Sequence, residues 1–380
     1  MLPKIKAFIQ QKPYLSIFLF FVLTRAIIFG LYPLFNYLGV EVFNYEPQLN
    51  EWESNFKYVG KWLAFDSEHY LKIAKEGYNA QTTAFFPLYP LLIKTLSILT
   101  TLPLEYSGII ISNMFFLFAL FMLYKLLSLD NEENFYTIAL LTFSPITIYF
   151  LSIYTESLFL FLTISSFYLI RKKKWASAAI VIGLASLTRN SGVVLYLCWL
   201  IEYIIEKGWK EGFIKHLNGL IIGGLLMISY PLFLLYNYGN PTLYVNIQSV
   251  FWNRYFTLPW IALWADIKLA MAHPAIYTIV IFNFIFFTLA LWMIFSKTRI
   301  RTSYLVFTAM SIIMPLFYPI ILDNMPYTTG VSRYTMVLFP IYIFLGKKIK
   351  KPIHRIILLE IFIGFLILFT TAFIHKQFLG

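Results

Sequence analysis

The sequence predicts an all-α, polytopic membrane protein, and three observations predict it. Of its 380 residues, 59% are hydrophobic and 13% charged, more apolar surface than a soluble domain of this length needs. Apolar runs of roughly 15 to 22 residues recur along the chain, separated by short polar turns. Its Lys and Arg, 30 against 18 acids, fall in short clusters between those runs, as the positive-inside rule requires of cytoplasmic loops. The net charge of +12 therefore reads as membrane topology. It does not read as nucleic-acid binding, because the chain has no continuous basic face and no nucleic-acid motif. Cys198, the lone cysteine, lies inside an apolar run. No intrachain disulfide and no Cys/His zinc spacing follow from it.

Taken in order, Lys4, Lys6 and Lys12 precede the first apolar run and place the N-terminus in the cytoplasm. Span 1, about 14–34, is long for a signal-peptide core and lacks a small-x-small cleavage site, so it is a retained span. Arg25 inside it reads as snorkelling or pairing within the bundle, with a functional role as the alternative. Residues 36–105 form an extracytoplasmic loop, acid-rich over 36–83. The run at 87–100 would reverse the sidedness of every later basic loop if it crossed. It is also short, and Lys94 interrupts it, so it is predicted to lie on the outer face as a juxtamembrane helix.

Ten further spans follow, at about 106–127, 135–151, 157–170, 175–187, 191–205, 217–238, 275–295, 303–322, 334–345 and 356–373. The basic segments RKKK, 206–216, 297–301 and GKKIKKPIHR then fall inside, and 239–273 and 323–333 form outside loops. The reading is one integral-membrane domain, 1–380, of about eleven spans. Spans 4 to 6 and 10 are short for a hydrocarbon core of about 30 Å, which suits helices whose ends border a water-filled cavity.

The chemistry points to the polar interval 62–90, WLAFDSEHYLKIAKEGYNAQTTAFFPLYP. Asp66, Glu68 and His69 open a helical pattern that Gly77 ends. Asp66 reads either as a helix cap or as a reacting carboxylate. Asp66, Glu68 and His69 leave a divalent metal open, although their spacing is not a recognised ligand set. Otherwise no cofactor is predicted, and the chain has no glycine loop to cradle a nucleotide's phosphates. Three more charged positions stand at the predicted outer level. Glu156 suits a helix first turn. Arg189 suits a snorkelling interface residue. Arg333 starts span 10. If buried, each costs roughly 2.5–3.5 kcal/mol to insert, which argues against chance placement.

The block aromatic–Asp–x–x–His–Tyr … Ile–Ala … Gly–Tyr … Phe–Phe–Pro–x–Tyr–Pro resembles the first luminal loop of the PIG-V family. These mannosyltransferases add the second mannose to GPI anchors, have prokaryotic relatives, and belong to the GT-C class. Three further blocks, at 144–159, 183–192 and 332–340, resemble later family blocks in the same order. Phe65 stands where the family usually has tryptophan, and Ser332 where it usually has proline. The resemblance implies a GT-C-like bundle with juxtamembrane helices in the first loop. It implies inverting transfer of a mannosyl or related hexosyl group from a polyprenyl-phosphate sugar, with Asp66 as general base. The acceptor would be a glycan or a lipid, and the chain, shorter than its eukaryotic relatives, does not name it. Arg189, Arg254 or Arg333 would bind the donor's phosphate. Glu68, His69, Tyr70 and Glu156 would contact substrate, and Phe86 and Tyr89, with Phe85, would stack on sugar or hold the loop on membrane lipids. Two other classes stay open: a non-catalytic subunit of a glycosyltransferase complex, and a transporter or flippase of lipid-linked sugars. The size and the ending HKQFLG, which is no retrieval signal, point to a prokaryotic plasma membrane with the site outside.

Overall fold

The computed structural model describes residues 11–38, 59–130, 134–208, 213–272, 274–322, 325–328 and 330–376. Helix dominates. α1 (Pro13–Leu38) comes first, followed by α2 (Asp66–Glu76), α3 (Leu88–Thr100), α4 (Leu104–Leu129) and α5 (Asn134–Thr142). α6 (Glu156–Arg171), α7 (Trp175–Ser186), α8 (Val194–Lys207) and α9 (Leu217–Tyr238) follow. Then come α10 (Leu243–Trp252), α11 (Pro259–Ala272), α12 (Pro274–Phe295) and α13 (Thr302–Leu316). A hairpin of β1 (Ile320–Leu322) and β2 (Met325–Tyr327) precedes α14 (Val331–Met336), α15 (Phe339–Lys348) and α16 (Pro352–Ile374).

Among the described residues, four helical stretches are long and apolar enough to cross a membrane: Pro13–Leu31, Leu104–Leu129, Leu217–Tyr238 and Pro352–Ile374. Their outer faces expose large apolar side chains such as Leu19, Leu23, Ile221 and Leu225. In water such a surface would be an adhesive patch; against lipid tails it costs nothing. The centre is α6, apolar all round and buried on nearly every face, as a helix with no solvent side must be. It packs between α4 and α7, and α7 in turn lies on α9.

Several predicted boundaries move, mostly at prolines. Span 3 does not run from 135 to 151: α5 stops at Thr142, and a turn with a short 3-10 helix (Thr147–Phe150) follows. Pro145 has no N–H to give a helix, and its ring excludes the helical conformation before it. Span 9 ends at Leu316, just past Pro315, and Ile320–Leu322 is strand. The small hairpin is thus an exception to the all-α expectation. Span 10 divides into α14 and α15, with Pro340 in the first turn of the second piece. The outside loop predicted at 239–273 is largely α10 and α11. The predicted segment 87–100 is helical over Leu88–Thr100, and those 13 residues reach about 20 Å, short of the hydrocarbon core. Lys4, Lys6 and the acid-rich stretch 39–58 lie outside the described residues.

Small residues allow α7 and α9 to touch backbone to backbone. Gly219 and Gly223 face Ala176, Ala179 and Gly183, the spacing of close-packed membrane helices. A Cβ on Gly223 would sit 2.2 Å from the Ala179 carbonyl oxygen, which is backbone and cannot swing aside. Gly223→Val is therefore expected to cost at least about 1–3 kcal/mol. The check is a lowered thermal midpoint in detergent, with Gly224→Val, which meets nothing within 4 Å, as the control.

The hairpin is tied to α11 by one buried acid. Asp266 accepts the Thr328 N–H at 2.8 Å and the Thr328 hydroxyl, while the Asn283 amide donates to the Thr328 carbonyl at 3.0 Å. α11 lies in the predicted outside loop, and burial pushes the Asp266 carboxyl up from 3.8 to about 7. The folded form thus holds a proton that the unfolded form releases near 3.8. This stabilisation is complete below about 3.8 and is lost as pH rises to about 7. Asp266→Asn should flatten that fall; an unchanged pH slope of the thermal midpoint would show that other groups cause it.

Candidate active site

The charged residues at the predicted outer level come together from four separate segments. Asp66 is the first residue of α2 and Glu156 the first of α6. Arg189 lies between α7 and a 3-10 turn (Asn190–Val193), and Arg333 lies in α14. Arg333 Nη1 donates to Asp66 Oδ2 at 3.0 Å, and Arg333 Nε stands 3.1 Å from Glu156 Oε1. Arg189 Nη1 donates to the same Glu156 oxygen at 2.7 Å. The result is a chain of alternating charge, Asp66–Arg333–Glu156–Arg189.

Its members differ in exposure. Side-chain exposure is 1% at Glu156, 9% at Arg333 and 14% at Arg189, but 28% at Asp66. Asp66 is thus the member open to an incoming molecule, and the others support it from beneath. Both carboxylates sit at helix N-termini, whose partial positive charge favours them there. Glu156 Oε2 is buried without a hydrogen-bond partner. Aromatic faces cover the cations: Arg333 lies 5.2–5.6 Å from the rings of Tyr149, Tyr154 and Tyr334, and Arg189 4.8 Å from Tyr334.

Asp66 does not cap α2 in the way a cap would. The cap position belongs to Phe65, and no side-chain cap bond forms there. Phe65 has φ 55° and ψ −115°, a conformation that costs a residue with a Cβ about 1–3 kcal/mol. Neighbours hold it: Tyr154 Oη donates to the Ala64 carbonyl at 3.0 Å, Lys376 Nζ to the Leu63 carbonyl at 2.7 Å, and the Phe65 ring packs edgewise on Phe373. At the far end Gly77 closes α2 with φ 88°, the role its position predicts.

The irregular stretch 143–155 carries Tyr149 and Tyr154, and its backbone needs partners inside the bundle. Arg25 supplies one. Its Nη2 donates to the Phe150 carbonyl at 3.3 Å, its Nε to Asn113 Oδ1 at 2.7 Å, and it packs on Phe21 and Phe116. Asn113 donates to the Leu151 carbonyl at 3.2 Å, and Ser157 to that of Phe150 at 2.9 Å. Pairing within the bundle is therefore what Arg25 does.

The other predicted residues spread around this centre. His69 stacks on Phe85 with ring centroids 4.6 Å apart and meets the Trp252 edge at 5.8 Å. Burial pushes it below the usual histidine range, against the pull of Asp66 and Glu68. Tyr70 is buried edgewise against Phe85 and Tyr89. Tyr89 is fully buried, its hydroxyl bonded to Ser112 and to the Gly108 carbonyl, so α3 is fastened to α4. Phe86 packs on Tyr230 and Tyr244. Glu68 is half-buried on α2. Arg254 reaches the Tyr318 carbonyl at 3.5 Å, and its backbone bridges to Ile320. Among the described residues no group of three or more His, Cys, Asp or Glu could hold a metal ion. Asp66 and His69 turn to different partners.

Sequence reasoning missed Asn113, Tyr149, Tyr154 and Tyr334. Asn113 was legible as an amide inside an apolar run; the tyrosines lie in the blocks at 144–159 and 332–340, which were the signal that could have singled them out.

The family model described as mannosyltransferase (PIG-V) matches residues 14–239. That stretch contains Asp66, Glu156 and Arg189, while Arg254 and Arg333 lie beyond it. The chain is also similar to GPI mannosyltransferase 2 of Yarrowia lipolytica (strain CLIB 122 / E 150), with 29% identity over 178 residues. The alignment covers 42% of this chain and 49% of that protein, so the chain spans about half the length of the curated relative it matches.

Proposed function

This chain belongs to the PIG-V mannosyltransferase family, and from that premise we propose that it is an inverting membrane glycosyltransferase. It moves a mannosyl, or related hexosyl, group from a polyprenyl-phosphate sugar to an extracytoplasmic glycan or lipid acceptor. The observation that carries this reading is the pairing of a partly exposed Asp66 with Arg333, which a buried Glu156 holds together with Arg189.

In this mechanism the acceptor hydroxyl oxygen attacks the anomeric carbon from the face opposite the phosphate. Asp66 takes the hydroxyl proton as the new C–O bond forms. The old bond from the anomeric carbon to the phosphate oxygen breaks, and its electron pair leaves on the polyprenyl phosphate. That group is already a good anion, so no protein acid is required. Arg189 and Arg333 supply the positive charge it needs, in a partly dry site where such charge acts strongly. Arg333 holds Asp66 before substrate arrives; a donor phosphate competes for the same guanidinium and releases the carboxylate toward the hydroxyl. Glu156 keeps both arginines in place. Glu68, His69 and Tyr70 shape the sugar pocket, Phe86 and Tyr89 hold the loop in position, and Arg254 guards its rim.

The same reading makes the chain a single GT-C-like domain of about eleven spans, with residues 36–105 as its catalytic loop. It places the site on the outer face of a prokaryotic plasma membrane. The test is a transfer assay: purified protein in lipid nanodiscs, labelled polyprenyl-phosphate mannose, and a pool of membrane glycan and lipid acceptors. Label should pass to an acceptor with release of polyprenyl phosphate. Donor that binds but is never consumed would favour a non-catalytic subunit instead.

A further inference from the structure

A second charged cluster lies at the other end of α6. Glu156 begins that helix and Arg171 ends it, so the two clusters are about 22 Å apart along its axis. There Asp130, just past α4, pairs with Arg171 and, at 3.3 Å, with Arg301. Arg301 also stands 3.6 Å from Glu202. Beside these pairs is a cavity of about 210 Å³. Its polar lining is Asp130, Arg299, Arg301, Tyr304 and Lys347: three cations against one carboxylate. Leucine and isoleucine side chains form the rest of the wall.

Tyr304 shows that the lining is incomplete. It is 3% exposed, its ring wedged edgewise against Phe167 and Phe339, yet its hydroxyl has no hydrogen-bond partner. A buried hydroxyl left without a partner costs about 1–3 kcal/mol. The ring cannot turn away, and Tyr304 is one of the residues that line the cavity. A water molecule takes roughly 30 Å³, so the cavity has room for a tetrahedral anion and not merely one water. Arg301 is already shared between Asp130 and Glu202, whereas Arg299 has no carboxylate partner among the described residues.

We propose that this cavity, lined by Arg299, Arg301, Lys347 and Tyr304, binds a phosphate group. The cations neutralise it, Arg299 gives it a planar pair of donors, and the Tyr304 hydroxyl completes its shell. The apolar wall and the predicted position at the cytoplasmic membrane surface favour a phosphate carried on a lipid headgroup. This site is separate from the Asp66 centre and owes nothing to the transfer reaction.

The experiment measures the thermal midpoint of the full chain in phosphatidylcholine nanodiscs. The probes are short-chain phosphatidic acid, the matching diacylglycerol without phosphate, and inorganic phosphate. Phosphatidic acid should raise the midpoint saturably and diacylglycerol should not. Tyr304→Phe, which keeps the packed ring, and Arg299→Gln should each raise the half-saturating concentration about tenfold. If inorganic phosphate gives the same saturation and the same loss in both variants, the site stands and its ligand is the free anion. Equal half-saturation in wild type and both variants, or no saturable shift with either phosphate, overturns the proposal.

Discussion

Asp66→Asn should lower the transfer rate by about 10²–10⁴-fold and leave the protein folded. The argument is local. Asparagine matches aspartate in size, and its side-chain oxygen can still accept from Arg333, which lies 3.0 Å from the carboxylate. Arg333 also keeps Glu156, so no buried cation is orphaned. What asparagine cannot do is take a proton from an attacking hydroxyl. The strained Phe65 backbone is held by Tyr154, Lys376 and Phe373, none of which depends on the Asp66 charge. Donor consumption and thermal midpoint are measured on the same preparations. A midpoint near wild type with a collapsed rate isolates the base. If turnover stays within a few-fold of wild type, Asp66 serves only to hold Arg333, and the general-base assignment fails. Asp66→Glu is a second probe: it keeps the charge but moves it by one methylene, and it should recover part of the rate.

How much of this was legible beforehand depends on the range of the interaction. The start of α2 at Asp66, its end at Gly77 and the start of α6 at Glu156 follow from local rules of helix ends, and the sequence shows them. The helix at 88–100 was legible too, because its apolar run is bounded by Pro87 and the turn at 101–103. What could not be read was pairing across the chain. Arg333 is 267 residues from Asp66, and no local pattern says which carboxylate a guanidinium will meet. Arg25 was ambiguous for the same reason, since its partners Asn113 and Phe150 come from other segments. Prolines misled in a different way. Hydropathy averages over Pro145, Pro315 and Pro340, whereas a helix ends or begins within a few residues of each of them.

Removing Arg333 should cost more stability than any other change at the site. Arg333→Gln leaves Asp66 without its cation and Glu156 with Arg189 alone, and Glu156 is 1% exposed. Breaking one partner of a buried charge pair costs about 3–5 kcal/mol, because the other charge stays where water cannot reach it. Glu156→Gln is the mirror case. It leaves Arg189 and Arg333, both drawn to one carboxylate oxygen, facing each other without it. The pair can therefore be read as a double-mutant cycle. In Glu156→Gln/Arg333→Gln the opposing charges leave together, so the loss of stability should be well below the sum of the single losses. Turnover should not recover with it, because a cation for the donor phosphate and the clamp on Arg189 are both gone. That split separates two roles the geometry leaves superimposed. If the double variant regains both stability and transfer, the network is scaffolding and the phosphate is neutralised elsewhere, with Arg254 the next candidate. If stability returns and donor binding does not, the arginines act on the substrate, and the cost of gathering four charges in a membrane bundle is explained by what they bind.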